Sequence, residues 1–370
     1  MIQWPRQVGK TTILKQIKNH ITTNNLGACY YLTLEDSEIL SLLDDHPRKL
    51  LEIFPVDTTK KTFYCIDEIQ YLKNPTNFLK YIYDTYSDTI QLIVTGSSSF
   101  YLDTKFHDSL VGRKFLFDMY SLSWEEFLHF KQEDELYSKK QDNILSLVDQ
   151  RNLEQLRNEY CIYGGYPEVV LLSNYEQKRE YLKQYLREYI KKDITDAGVK
   201  LQDKYMYILK LLASQIGQLI NAHEISNLLG ISSSTVQEYL IIMQRSFHIG
   251  LVRPFYKNIR KEIIKMPKGY FLDSGMRNIL VNNFENMDIR VDAGHLFENM
   301  VYRNFLDQYP SEDIRYRRTK NNQEVDFIIQ EENAYEVKIK SSLYRAAKYT
   351  SFIQEYPHIP LSCISTESII

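Results

Sequence analysis

The residues with the clearest chemical potential lie near the start of the chain. Residues 7–12 are Gln-Val-Gly-Lys-Thr-Thr, the end of the phosphate-binding pattern G-x-x-x-x-G-K-[ST], or Walker A motif. Such a loop points backbone N–H groups at phosphate, while its lysine contacts the β- and γ-phosphates and its hydroxyl residue ligates Mg²⁺. The predicted nucleotide ligands in this loop are Gln7, Val8, Gly9, Lys10, Thr11 and Thr12.

The same segment departs from the pattern at one position. Trp4 stands where the motif has its first glycine, and three residues precede it. A residue with a Cβ resists the tight turn that glycine allows. We therefore expect an N-terminus shortened by a strand and a weakened nucleotide site.

A second motif occupies residues 62–68. The apolar run Thr-Phe-Tyr-Cys-Ile ends in Asp67 and Glu68, which is the order of a Walker B strand. The first carboxylate of such a pair orients Mg²⁺ and its waters, and the second polarises the attacking water. We predict that Thr11 and Asp67 hold the metal and that Glu68 is catalytic. The alternative is an acidic turn at a strand end.

Two further residues are predicted to face the γ-phosphate. Ser97 follows the apolar run of residues 90–95, where a polar side chain at a strand end can sense phosphate. Arg113 can supply a positive charge to the transferred group. A plain Gly/Ser turn and a solvated surface arginine are the respective alternatives.

The patterns around these motifs predict an α/β protein. Residues 1–130 alternate strand-like and helical segments, which indicates a parallel sheet with crossover helices in an ATP-binding domain. Residues 131–203 form a predicted helical connector. Residues 204–275 read as three helices and a hairpin, the order of a winged helix. Residues 276–370 alternate again and form the predicted C-terminal α/β domain.

Carboxylates recur in the C-terminal segment. Asp326 and Glu336 lie in two strand patterns joined by a turn, Glu298 lies on the preceding helix, and Lys338 shares a strand face with Glu336. They resemble the D…(D/E)-x-K arrangement of the restriction-endonuclease-like fold. We predict a metal site at Asp326 and Glu336, with Glu298 as a third ligand. The alternative is a set of ion pairs without metal.

Nucleic-acid contacts are predicted only at local basic patches. The helix at residues 232–244, where a recognition helix would lie, contains no Lys or Arg. The wing is more basic, as is the stripe at residues 315–320, so any DNA binding should be nonspecific and salt-sensitive. The alternative is structural packing for the winged helix, and a solvated strand and turn for the stripe. The basic residues of the wing are Lys257, Arg260, Lys261, Lys265 and Lys268.

Composition limits the classes of function. The 370 residues include 45 Lys and Arg and 48 Asp and Glu, a net charge of −3, which excludes a globally basic nucleic-acid binder. No apolar run approaches the roughly 18 residues of a membrane span, so we predict no membrane partner. Four separated cysteines without metal-ligand spacing are typical of reduced thiols. We therefore expect a cytoplasmic protein.

The motifs, in their order, resemble those of the AAA-type P-loop ATPases of bacteria and archaea that end in a domain of unknown function. The resemblance covers essentially the whole chain. It implies ATP and Mg²⁺ binding, a winged-helix segment and a restriction-endonuclease-like C-terminal domain. The segments that carry it are residues 5–12, 66–70, 95–98, 122–127, 164–168, 187–194, 272–277 and 324–327.

These observations favour a Mg²⁺-dependent P-loop ATPase whose client is unknown. One alternative is a DNA-binding or DNA-cleaving protein with a weakened nucleotide site. Another is a non-catalytic scaffold, such as an antitoxin or defence component. ATP turnover separates the first from the other two.

Overall fold

The structure is a computed structural model. It describes residues 1–3, 7–57, 59–96, 110, 112–142, 144–256, 262, 265–319 and 323–369. Several residues with predicted roles lie outside this part of the chain: Trp4, Ser97, Lys257, Arg260, Lys261 and Lys320. The chain divides into two compact units. The N-terminal unit comprises Met1–Tyr120, Thr195–Ala197 and Arg245–Phe247, and the remaining segments form the C-terminal unit.

A parallel sheet organises the N-terminal unit. Its strands are β1 (Ile2–Gln3), β2 (Cys29–Thr33), β3 (Thr62–Asp67), β4 (Ile90–Gly96) and β5 (Phe117–Asp118). Their order is β2-β3-β4-β1-β5, and each of these neighbouring pairs is parallel. The intervening helices are α1 (Lys10–Thr23), α2 (Ser37–Asp45), α3 (Lys49–Ile53) and α4 (Pro75–Tyr86). The predicted parallel α/β sheet is confirmed.

One predicted helical segment is interrupted. The pattern of residues 39–54 indicates helical structure, and the structure divides this segment into α2 and α3 with a break between them. Pro47 disfavours helical backbone at the residue before it, and His46 is extended, with φ −155° and ψ 132°. Leu43 of α2 and Leu50 of α3 are nevertheless both buried in the apolar core of this unit.

The sheet brings the two Walker motifs together. Tyr64 and Ile66 of β3 are fully buried and anchor this strand in the core. Ile66 pairs with Val94 of β4 in the parallel register, so the next residues along, Asp67 and Thr95, lie side by side. Because parallel strands end at the same sheet edge, both side chains lie where the loop before α1 begins.

Helices form the first half of the C-terminal unit. They are α5 (Trp124–Phe130), α6 (Asp134–Gln141), α7 (Leu147–Tyr163), α8 (Pro167–Leu171), α9 (Tyr175–Tyr185), α10 (Lys191–Asp196), α11 (Gln202–Ser214), α12 (Ala222–Leu229) and α13 (Ser233–Arg245), with a π-helical turn at Leu186–Ile190. The turn after α7 requires glycine: Gly164 has φ 79°, and a Cβ there would lie 2.2 Å from Asp273 Oδ1. Among the described helices, none combines the length and apolar character needed to cross a membrane.

A mixed six-stranded sheet forms the second half. Its strands are β6 (Ile249–Pro254), β7 (Lys268–Phe271), β8 (Ile314–Arg318), β9 (Glu324–Ile329), β10 (Asn333–Lys338) and β11 (Leu361–Ser365). Their order is β11-β10-β9-β8-β6-β7. The longer helices here are α14 (Ser274–Val281), α15 (Ala293–Phe305) and α16 (Thr350–Glu355), followed by a short α17 (Thr366–Ile369). The predicted hairpin of β6 and β7 is present, and β6 also pairs with β8, so it belongs to the C-terminal sheet.

Candidate functional site

The N-terminus of α1 forms one wall of the candidate site. Gly9 precedes this 14-residue helix with φ 98° and ψ 20°, a left-handed conformation that residues with a Cβ rarely adopt. Gly9 has no side chain to cap the helix, and the first turn carries no acidic residue. The leading N–H groups of α1 are thus suited to donate to an anion. Val8 is buried beneath the loop and anchors it.

Lys10 and Glu68 form an ion pair across the site. Lys10 Nζ lies 2.6 Å from Glu68 Oε1, and the two side chains are 10% and 13% exposed. Glu68 follows β3 in left-handed backbone with φ 58°, and its N–H donates to Thr95 Oγ1 at 3.2 Å. Gln70 Nε2 donates to the other carboxylate oxygen, Oε2. The predicted catalytic carboxylate is therefore held on both of its oxygens.

Three side-chain hydroxyls donate to Asp67. Thr11 Oγ1 donates to Asp67 Oδ2 at 2.7 Å, and Tyr31 OH donates to the same oxygen at 3.2 Å. Thr95 Oγ1 donates to Oδ1. Asp67 is 3% exposed, so these bonds fix the direction of a buried carboxylate. Burial and the nearby Asp67 charge raise the pKa of Tyr31 to about 12.

Three of these residues were not identified from the sequence: Tyr31, Thr95 and Gln70. Strand alternation puts Tyr31 and Thr33 on one face of β2, and Thr33 pairs with Asp67 in the register. That register is set by the folded sheet and has no local signature in either strand. The proximity of Tyr31 to Asp67 therefore follows from the tertiary structure and not from a local sequence motif.

The site is chemically suited to a magnesium–nucleotide complex. The Thr11 hydroxyl and the Asp67 carboxylate supply hard oxygen donors, which Mg²⁺ prefers. The uncapped start of α1 and the Lys10 ammonium supply donors for phosphate oxygens. The predicted residues Gln7 to Thr12 all belong to this loop and helix start.

Arg113 is engaged elsewhere in the same unit. Its Nε donates to Asp84 Oδ1 of α4 at 2.7 Å, and the two side chains are 33% and 40% exposed. Its role at the γ-phosphate stays a prediction. The corresponding role of Ser97 does as well, because that residue lies outside the described part of the chain.

A second charged cluster lies in the C-terminal sheet and is centred on Lys268 of β7. Lys268 Nζ lies 2.6 Å from Glu324, 2.9 Å from Glu298 and 3.2 Å from Asp326. Its side chain is 2% exposed. Tyr270 OH also donates to Glu298. We call Lys268, Glu298, Glu324 and Asp326 the Lys268 cluster.

Burial and mutual charge set the pKa values in this cluster. Burial opposes the charged form of Lys268, but Glu298 and the other nearby carboxylates keep the pKa of Lys268 well above its ordinary value. Burial raises the pKa of Glu298, but the Lys268 ammonium and hydrogen bonds from His295 and Tyr270 together outweigh burial and lower that pKa to about 2. Burial, followed by repulsion from Glu298, raises the pKa of Asp326 to about 7. The ammonium thus lies where it neutralises the carboxylates.

Asp326 and Glu336 are neighbours, as the hairpin prediction expects. β9 and β10 are antiparallel, and the Val337 N–H donates to Asp326 Oδ2 at 2.9 Å. Lys338 Nζ donates to Glu336 Oε1. Among the described residues, no three His, Cys, Asp or Glu side chains are arranged to hold a metal ion. Metal binding by Asp326 and Glu336 stays a prediction.

The basic stripe of β8 is paired with carboxylates. Arg315 lies 2.8 Å from Glu262, Arg317 lies 2.8 Å from Glu355, and Arg318 lies 3.7 Å from Glu324. The Arg317 guanidinium also stacks 4.3 Å from the ring centroid of Tyr256. These partners reduce the positive charge that the stripe offers to a phosphate backbone.

Three family models match successive parts of the chain. Residues 1–128 match the family model described as an AAA domain. Residues 154–287 and 293–363 match two models described as domains of unknown function, DUF8612 and DUF4143. The AAA match, together with the arrangement around Lys10 and Asp67, supports an AAA-type P-loop ATPase with a further C-terminal domain.

Similar proteins occur in both archaea and bacteria. An uncharacterized protein of Methanocaldococcus jannaschii is 29% identical over 340 residues, which cover 89% of this chain and 71% of that protein. An uncharacterized protein of Haemophilus influenzae is 27% identical over 347 residues, 89% of this chain and 78% of that protein. Among solved structures, the Thermotoga maritima RuvB Holliday junction branch migration motor is 14% identical, with a TM-score of 0.31 over 68% of this chain and 80% of its own. A score this low carries no argument about function.

Proposed function

We propose that this protein binds ATP with Mg²⁺ and hydrolyses it at the N-terminus of α1. The observation that carries the proposal is the pairing of the two Walker motifs, Lys10 with Glu68 and Thr11 with Asp67. The N–H groups of α1 and Lys10 hold the phosphates. Thr11 and Asp67 hold Mg²⁺, which when bound neutralises charge on the phosphate oxygens.

Glu68 is the proposed general base. Its carboxylate accepts a proton from the attacking water, and Gln70 keeps it oriented through Oε2. Lys10 occupies Oε1 in the structure. When Lys10 moves to phosphate, that oxygen becomes available for the water. Substrate binding thereby couples to activation of the base.

The mutation Glu68→Gln tests this proposal. The amide keeps the size of the side chain but cannot accept the proton, so turnover should fall by about 10²- to 10⁴-fold while MgATP binding persists. Glu52→Gln, an exposed change on α3, is the matched control and should leave both quantities unchanged. Unchanged turnover in Glu68→Gln would contradict the assignment of the base.

Two further proposals concern the location of the protein and its contact with DNA. We propose a cytoplasmic protein on the basis of its four free cysteines. DNA binding or cleavage as the main function has less support in the described residues. The cations of β8 are paired, and Lys268 lies among the carboxylates that a metal-dependent nuclease would need.

A further inference from the structure

Tyr31 is a part of the nucleotide site that neither Walker motif includes. Its hydroxyl donates to Asp67 Oδ2 at 3.2 Å, the oxygen that also accepts from Thr11 at 2.7 Å. A carboxylate offers about four lone-pair positions on its two oxygens. Tyr31 thus adds a third hydroxyl donor to those of Thr11 and Thr95.

The sheet and α1 fix the position of this ring. Tyr31 lies on β2 opposite Cys65 of β3, two residues before the pair formed by Thr33 and Asp67. On its other side, Lys15 Nζ of α1 lies 5.9 Å from the ring centroid. Tyr31 therefore lies near both α1, the helix that follows the phosphate loop, and the end of β3 at Asp67.

Tyr30, the preceding residue, has different neighbours. Its hydroxyl donates to the Pro55 carbonyl at 3.1 Å, and its ring stacks on Tyr64 at 5.6 Å between centroids. Since successive side chains of a strand face opposite sides, the two tyrosines differ in surroundings while sharing size, chemistry and strand. Tyr30 is thus a matched control for Tyr31.

We propose that Tyr31 is a positioning residue that fixes the Asp67 carboxylate in the orientation that receives Mg²⁺. This inference rests on the proposed ATPase function. A carboxylate binds a metal ion well only when it is suitably oriented. Loss of a donor that orients it typically lowers metal affinity by about 10- to 100-fold. The Tyr31 bond is longer than the Thr11 bond, so the lower end of that range applies.

The experiment compares Tyr31→Phe and Tyr30→Phe with the wild type. Mn²⁺ binding to the protein–ADP complex is followed by electron paramagnetic resonance, and binding of a fluorescent ATP analogue is measured in EDTA. Tyr31→Phe should weaken Mn²⁺ binding about tenfold and leave metal-free nucleotide affinity unchanged. Tyr30→Phe should match the wild type in both measurements.

Three other outcomes would overturn the inference, and each leads to a different conclusion. Equal Mn²⁺ affinity in Tyr31→Phe and wild type removes the positioning role and leaves the ATPase proposal intact. Loss of metal-free nucleotide affinity in Tyr31→Phe indicates a general structural role instead. A wild-type protein that binds neither nucleotide nor Mn²⁺ overturns the proposed function and this inference with it.

Discussion

The nucleotide site and the Lys268 cluster each combine a lysine with carboxylates. The two lysines differ in the number of carboxylates that contact them and in their exposure to solvent. Within the part of the chain that the structure describes, Lys10 has one carboxylate partner, Glu68, beside a helix N-terminus, and both side chains retain solvent exposure of 10% or more. Lys268 has three carboxylate partners and is 2% exposed. Lys10 can exchange its carboxylate partner for a phosphate. Lys268 instead stabilises the fold.

Removing the buried lysine should give the largest effect. In Lys268→Met, the buried carboxylates of Glu298 and Asp326 lose this counter-charge, so we expect a loss of about 3–5 kcal/mol in the free energy of unfolding. Urea denaturation measures it. Lys265→Met, an exposed change nearby, should cost far less. Equal stability of Lys268→Met and Lys265→Met would show that Lys268 does not stabilise the fold. The distinction drawn between Lys10 and Lys268 would then be lost.

Metal binding at the C-terminal carboxylates should depend on the competing ammonium groups. A divalent cation at Asp326 and Glu336 must compete with Lys268 and Lys338. We expect Mn²⁺ binding that requires Asp326 to be weak in the wild type. In Lys338→Met it should tighten about tenfold, because one unit of positive charge is removed from Glu336.

Calorimetry with Mn²⁺ measures this change, and Asp326→Asn identifies the heat that belongs to the site. Lys340→Met removes an exposed lysine two residues further on and serves as the control. Identical Mn²⁺ affinities in Lys338→Met and Lys340→Met would show that Lys338 does not compete with a cation there.

The smallest expected effect concerns Trp4. Because the motif has a glycine at this position, replacing Trp4 with glycine should tighten ATP binding about fivefold, or about 1 kcal/mol. Trp4→Phe keeps the Cβ and should give no gain. Equal or weaker affinity in Trp4→Gly would contradict the role assigned to this residue.

Local motifs identified the paired residues of the candidate site because these residues lie in short contiguous segments. Lys10, Thr11, Asp67 and Glu68 were all identified from two such segments, and the parallel sheet brings them within hydrogen-bond distance. The apolar runs of residues 62–66 and 90–95 also located β3 and β4. The helix break at Pro47 was missed because the periodicity of apolar residues takes no account of proline.

The Lys268 cluster could not be predicted in the same way. Lys268 is 30 residues from Glu298 and 58 from Asp326 in sequence. The sequence pattern placed Lys268 in the basic wing of a winged helix. In the structure β7 pairs with β6, which pairs in turn with β8 of the C-terminal sheet. Only that tertiary pairing brings an apparently exposed cation into a buried cluster of acids.

Nucleotide binding by Lys10→Ala tests the central claim most directly. Calorimetric titration with ATP and Mg²⁺ should give a clear binding heat for the wild type and for Lys80→Ala, an exposed change on α4. Loss of the charged contacts to phosphate should weaken binding at least about 100-fold in Lys10→Ala. Equal affinity in all three proteins, or no binding by the wild type, would contradict the assignment of a working nucleotide site at the start of α1.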